Sequence, residues 1–221
     1  MRLIIQTGRS APDGVSFDYQ HDLVRIFHRW LGHNDLHDKI SLYSISWLQG
    51  SSVRNGALIF PNGAQFFIGI HEHQYAEQLV QGIMKSPWLF GGMIVKDVQL
   101  QSAPEFDSPQ RFFLASPVFI KKQEENGNIR HILFDDPQSG ELLTQTLKHK
   151  MDRAGIDYDD SVKVYFDKEF QNPKTKLITI KGIQNRASMC PVIVEGSPEH
   201  IAFAWDVGIG NGTGACFGAV R

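Results

Sequence analysis

The chain of 221 residues has almost no cysteine, no dominant charge and no long apolar run. Its two cysteines, Cys190 and Cys216, lie far apart and form no CxxC pair. That excludes a disulfide framework and a cysteine-rich metal site, and it fits buried thiols in a reducing compartment. Lys and Arg number 22 against 24 Asp and Glu, a formal net charge of -2, so binding nucleic acid through charge alone is disfavoured. A local basic patch escapes that average. Nowhere do 18 apolar residues run together, and Met1-Arg2-Leu3-Ile4-Ile5-Gln6 reads as a short strand rather than a signal peptide. The expectation is a soluble, cytoplasmic protein with no membrane partner. Low-complexity segments are also missing.

What the chain has in quantity is glycine near its end. Gly208, Gly210, Gly212, Gly214 and Gly218 fall within eleven residues, behind the apolar run Ile201-Ala202-Phe203-Ala204-Trp205. Each can take positive φ or admit close backbone approach, so the run reads as a strand, a tight loop lined with donors and a returning strand, suited to a phosphate-bearing partner. The Walker pattern needs a Lys after glycine, which is missing. The dinucleotide fingerprint needs a following helix, and the sequence stops at Arg221. A glycine-rich hairpin without a ligand is the remaining local reading.

Periodicity gives an order of elements. Residues 2–7 read as a strand, and residues 19–32 as an amphipathic helix with Leu23, Phe27, Trp30 and Leu31 on one face. Extended segments follow at 40–48, 56–61 and 64–70, the last two joined by the turn Pro61-Asn62-Gly63. A helix at about 72–85 and a strand at 93–101 complete the set, the order of a ferredoxin-like or RNA-recognition-motif fold. Residues 103–110 read as a linker. The second half opens with a strand at 111–122 and a helix at about 138–154, whose Lys148, His149, Lys150 and Arg153 complement the helix dipole. Strands are predicted at 162–166, 176–183, 190–195 and 200–207, with no second helix. The fold class is therefore α+β, two tandem ferredoxin-like domains at 1–103 and 111–221, the second degenerate and ending in the glycine-rich loop.

Nine histidines are present, and His21, His28, His33 and His37 crowd the first helix and its exit. Imidazole can take or give a proton near neutral pH, and an ammonium beside it can meet developing negative charge. Lys39 lies two residues past His37, roughly 7 Å along an extended backbone. A solvated helix end explains the same residues without chemistry. His33 and His37 have HxxxH spacing but lack the Glu of HExxH and a distal ligand, so zinc is not expected.

Taken together these segments resemble the CRISPR-associated repeat-RNA endoribonucleases, the sixth Cas family. The resemblance is carried by Val207-Gly208-Ile209-Gly210 followed by Gly214-Ala215-Cys216-Phe217-Gly218-Ala219-Val220, by Ile178-Thr179-Ile180-Lys181-Gly182 and Val192-Ile193-Val194-Glu195-Gly196, and by Leu36-His37-Asp38 before Leu42-Tyr43-Ser44-Ile45-Ser46. It implies a metal-independent endoribonuclease that needs no cofactor and cuts precursor CRISPR RNA by 2′-hydroxyl attack, leaving a 2′,3′-cyclic phosphate and a 5′-hydroxyl. The family's catalytic histidine corresponds to His37 and its lysine to Lys39, and a helix position that often bears tyrosine corresponds to His28, with His33 the rival for either histidine role. The five glycines, Lys121, Lys122, Lys148, Lys174 and Arg186 would grip the RNA. CRISPR repeat RNA is the implied partner, with effector-complex subunits and a second copy of the chain as further ones. A non-cutting repeat-RNA-binding subunit is the alternative.

Overall fold

The computed structural model describes residues 1–33 and 40–221. The front half runs β1 (Arg2–Thr7), α1 (Gln20–Leu31), β2 (Tyr43–Ile45), β3 (Ser52–Arg54), β4 (Ala57–Ile59), β5 (Gln65–Ile70), α2 (His73–Lys85) and β6 (Val95–Gln101). Four of these strands form an antiparallel sheet in the order β2-β5-β1-β6. Alternation sorts its two faces: Leu3, Ile5, Phe66, Ile68 and Ile70 are buried in one core with Leu23, Phe27 and Trp30 of α1 and Leu79 and Ile83 of α2. Gly82 makes the helix crossing possible, since a Cβ there would overlap the Trp30 carbonyl. This is the expected ferredoxin-like order, with one change of pairing. Residues 57–59 pair with 52–54 rather than with β5, because Asn55 (φ 50°) and Gly56 (φ 75°) form the tight turn of a separate hairpin.

The back half runs β7 (Gln110–Phe112), β8 (Ile120–Gln123), β9 (Ile129–Ile132), α3 (Ser139–Ala154), β10 (Lys163–Phe166), β11 (Lys174–Ile180), β12 (Ile183–Met189), β13 (Val192–Glu195) and α4 (Pro198–Val207), then a 3₁₀ turn at Thr213–Ala215. The sheet order is β10-β13-β7. Just past the end of β7 the chain pairs with residues 219–221: Phe113 and Arg221 exchange backbone hydrogen bonds of 3.0 and 2.7 Å, and Ala115 N donates to Ala219 O at 2.8 Å. The strand expected over 111–122 is broken in two, and Pro117, which has no amide proton, lies in the break. The strand expected over 176–183 is two strands, β11 and β12, reversing at Lys181 (φ 49°) and Gly182 (φ 78°).

The largest departure is residues 200–207, which form a helix and not a strand, so this half does have its second helix. Ser197 caps it: its hydroxyl accepts from His200 N at 3.3 Å, His200 Nδ1 accepts from Ser197 N at 3.3 Å, and Pro198 opens the first turn. Its apolar run shows no alternation because α4 is enclosed on several sides. Ile201, Ala204 and Val207 belong to the second core, while Ser44 Oγ donates to Asp206 O at 2.9 Å and Gly69 has no Cβ that would overlap that carbonyl. Arg2 fastens the same interface. Its guanidinium lies 4.1 Å from the Phe67 ring centroid and 3.5 Å from that of Trp205, and donates to Trp205 O and Val220 O at 2.6 and 2.7 Å. Burial pulls its pKa down to about 9, against the opposing pull of Asp206. Among the described residues no helix is long and apolar enough to cross a membrane.

Candidate functional site

Residues at i, i+4 and i+7 share one face of a helix, and on α1 that spacing brings His21, Arg25 and His28 together. They line a cleft of about 710 Å³ whose opposite side is Ile180 and Lys181 at the tip of the β11–β12 hairpin and Ala215 of the glycine-rich turn. Arg29 sits on its rim and donates to the carbonyl of Trp88. Every charged or titratable side chain in this lining is a histidine, lysine or arginine, and Asp22 pairs with Arg25 at 3.2 Å from outside it. Such a wall favours a phosphodiester and offers imidazoles for proton transfer. His28 is half-buried, edge-on to Phe27 at 5.1 Å between ring centroids. His33 is exposed just past the helix. His37 and Lys39 lie outside the described residues.

A small apolar cluster of Phe119, Ile178, Ala187 and Phe217 forms the floor beside the cleft, with Ile180 and Ala215 packed against it. On its other side stand Lys121 and Arg186. Lys121 N donates to Asn211 Oδ1 at 2.9 Å and the residue faces His131 across β8 and β9, while Arg186 N reaches His131 Nδ1 at 3.3 Å. Burial and the Arg186 charge both lower the His131 pKa. The other three expected cations are directed elsewhere. Lys122 Nζ donates to Gln138 Oε1 at 3.0 Å; Lys148 stands 3.6 Å from Asp160 and over the Tyr158 ring; Lys174 is at the end of the hairpin away from Lys181.

The glycine loop is mostly spent on the fold. Gly208, Gly210, Gly214 and Gly218 are buried, and Gly212 is exposed. A Cβ on Gly208 would lie 2.7 Å from Gly218 O, on Gly210 2.6 Å from Phe119 O and on Gly214 2.5 Å from Ser41 Oγ; on Gly218 it would overlap Ile209 O. Amides expected to line a ligand site bond inside the protein instead: Ile209 N to Gly218 O, Asn211 N to Phe119 O, Gly218 N to Pro117 O. Four of these glycines therefore serve close packing, three against backbone carbonyls and Gly214 against the Ser41 and Tyr43 side chains, leaving the turn at Gly212 as the outward face. Cys216 beside it is buried, its thiol directed at Gln20 O, and burial raises its pKa.

Lys150 also departs from its expected place. It is 2% exposed, directed into the protein rather than along the solvent side of α3, and donates to Val207 O, Gly208 O and Thr213 Oγ1. Desolvation lowers its pKa to about 7 from an ordinary 10.5. Between those values the folded chain holds fewer protons than the unfolded chain, so stability rises with pH; below pH 7 both carry the charge and the slope vanishes. Cys216 adds the opposite slope only above its ordinary value of 9.0. Between pH 7 and 9, unfolding free energies of wild type should therefore gain on those of Lys150→Met by up to about 1.4 kcal/mol per pH unit. Denaturant titrations of both proteins check this, and a constant difference across that range would contradict it.

The spacing of His21, Arg25 and His28 was open to a helical reading of the sequence. Lys181 had only the Lys-Gly turn as its signal, and Ala215 had none. The family model described as CRISPR associated protein Cas6, C-terminal, matches residues 101–221, more than half of the chain. Among solved structures, a CRISPR-associated Cas6 protein is 20% identical, with 100% of this chain and 98% of that one covered and a TM-score of 0.83. A Cas6-related protein from Pyrococcus furiosus is 18% identical with 100% and 97% covered and a TM-score of 0.86, and an RAMP protein described as binding different RNA substrates is 16% identical with 100% and 98% covered at 0.83. These likenesses establish the tandem ferredoxin-like fold. No curated protein matches the chain.

Proposed function

The chain belongs to the Cas6 family, and on that premise we propose that it is a metal-independent endoribonuclease that cuts CRISPR repeat RNA. The observation that carries the proposal is the cleft itself, where His21, Arg25 and His28 of α1 face Lys181 and the glycine-rich turn. An RNA 2′-hydroxyl attacks the adjacent 3′-phosphate in line. His28 and His37 divide the proton work: one takes the proton of the 2′-hydroxyl and the other gives one to the leaving 5′-oxygen. Lys39, with Arg25 and Lys181, meets the charge that builds on the phosphorane. The products are a 2′,3′-cyclic phosphate and a 5′-hydroxyl, so the nucleophile comes from the substrate.

Acid–base help of this kind contributes about 10²- to 10⁴-fold, and the remainder comes from holding the scissile phosphate in line. The grip is assigned to Lys121 and Arg186, which stand across the Phe119 cluster from the cleft, and to the outward turn at Gly212. Lys122, Lys148 and Lys174 have a smaller share because their side chains are engaged or distant. Effector-complex subunits and a second copy of the chain are further partners consistent with family membership.

The test is incubation of the purified protein with end-labelled repeat RNA in EDTA. One cut with a cyclic-phosphate end is expected. Cleavage only after magnesium or zinc is added would overturn the mechanism, and tight binding with no cut in any buffer would make the protein a non-cutting repeat-RNA-binding subunit.

A further inference from the structure

A buried ammonium with no carboxylate beside it among the described residues is a costly thing for a fold to keep. Lys150 is such a group, and burial is the cause behind its lowered pKa. All three of its protons are used, toward Val207 O at 3.0 Å, Gly208 O at 3.1 Å and Thr213 Oγ1 at 3.1 Å. The first two acceptors are carbonyls at the C-terminal end of α4, where a helix has no further amides of its own and favours a cation. The third leads out of the back half. Thr213 Oγ1 donates in turn to Tyr43 O at 2.8 Å, and the Tyr43 ring stacks on Phe27 at 4.6 Å, beside His28. One side chain of α3 thus ties α4 and the glycine-rich turn to β2, and through β2 to the helix that carries the candidate proton-transfer group.

We propose that Lys150 is a positioning residue for the RNA site: by holding Gly208 and Thr213 at once, it sets where the cleft wall at Ala215 stands relative to His28. The inference rests on the endoribonuclease reading of that cleft. A neutral amine has two protons to give and cannot serve all three acceptors, and methionine, of similar length, serves none of them. A displacement of the wall by a fraction of a helix turn disturbs in-line geometry, to which such reactions are steeply sensitive.

Two variants test it. Lys150→Met removes all three hydrogen bonds of the ammonium, and Thr213→Val removes its third acceptor together with that hydroxyl's bond to Tyr43 O while leaving the ammonium its two carbonyls, which keeps the test open if the first variant folds poorly. Both are read by amide hydrogen exchange over residues 208–218 and by single-turnover cleavage of repeat RNA beside RNA affinity. Faster exchange at the Ile209 and Gly218 amides is expected, with the cleavage rate constant lowered about 10- to 100-fold and RNA affinity changed less than about threefold. Exchange as slow as wild type in Thr213→Val overturns the inference whether or not the protein cuts RNA. So does a loss of cleavage and affinity together in proportion to the unfolded fraction. Failure of wild type to cut, with the loop exchange changed as expected, instead counts against the endoribonuclease reading alone.

Discussion

Replacing His28 with alanine is expected to slow single-turnover cleavage of repeat RNA by about 10²- to 10⁴-fold while RNA affinity stays within about threefold, because a proton-transfer group acts mainly in the transition state. Position supports the choice: α1 sets His28 half-buried in the cleft wall, one turn from Arg25 and two from His21. His37→Ala should produce a comparable loss, since one histidine acts as base and the other as acid. The comparison with His33→Ala decides the register of the connector. A His28→Ala protein that cuts at the wild-type rate, beside a dead His33→Ala or His37→Ala protein, would remove the helix position from the chemistry. Equal losses of rate and affinity in His28→Ala would make it a binding residue.

The second large effect is on stability. Gly218 has φ 61°, and a Cβ there would overlap the carbonyl of Ile209, whose amide donates to Gly218 O at 2.8 Å. Gly218→Val is therefore expected to cost about 4 kcal/mol or more, a fall of roughly 8–16 °C or more in melting temperature for a chain of this size. Gly212→Ala is the matched control. Its φ of 67° is also unfavourable for alanine, but the residue is exposed and its nearest neighbour is the edge of the Phe217 ring at 3.2 Å. About 1 kcal/mol is expected there, with RNA affinity per folded molecule lowered if the turn touches RNA. Melting curves and RNA titrations on the two proteins check both statements. Equal melting temperatures for Gly218→Val and wild type would mean that the loop does not need the close approach at Ile209.

Much of the fold is legible in the chain because its helices carry a strong period. Leu23, Phe27, Trp30 and Leu31 recur at helical spacing on α1, and Leu143, Leu147 and Met151 do so on α3, so both helices lie within two residues of their expected bounds. The strand–helix–strand order then restricts the topology to a ferredoxin-like one. The same spacing rule places His21, Arg25 and His28 on one face, and so half of the candidate site could be read from sequence. α4 could not. Its apolar run from Ile201 to Trp205 has neither period, because the helix is covered by its own core and by the sheet of the other half, and a segment enclosed on several sides has no polar face to reveal its repeat.

Lys150 stands among His149, Asp152 and Arg153, neighbours that describe a solvated helix end, and local sequence alone gives no reason to bury it. Its place depends on where the last carbonyls of α4 fall, more than fifty residues further on, and no local property of α3 contains that position. The glycines divide in the same way. That residues 208, 210, 212 and 218 take positive φ follows from their having no Cβ, a property each residue brings with it. What Gly208, Gly210 and Gly218 approach was settled only by folding: Phe119 O reaches Gly210 from the start of the back half, while Gly218 O and Ile209 O meet Gly208 and Gly218 only when the loop folds back on itself, and close packing, unlike backbone preference, is a property of pairs that the fold brings together.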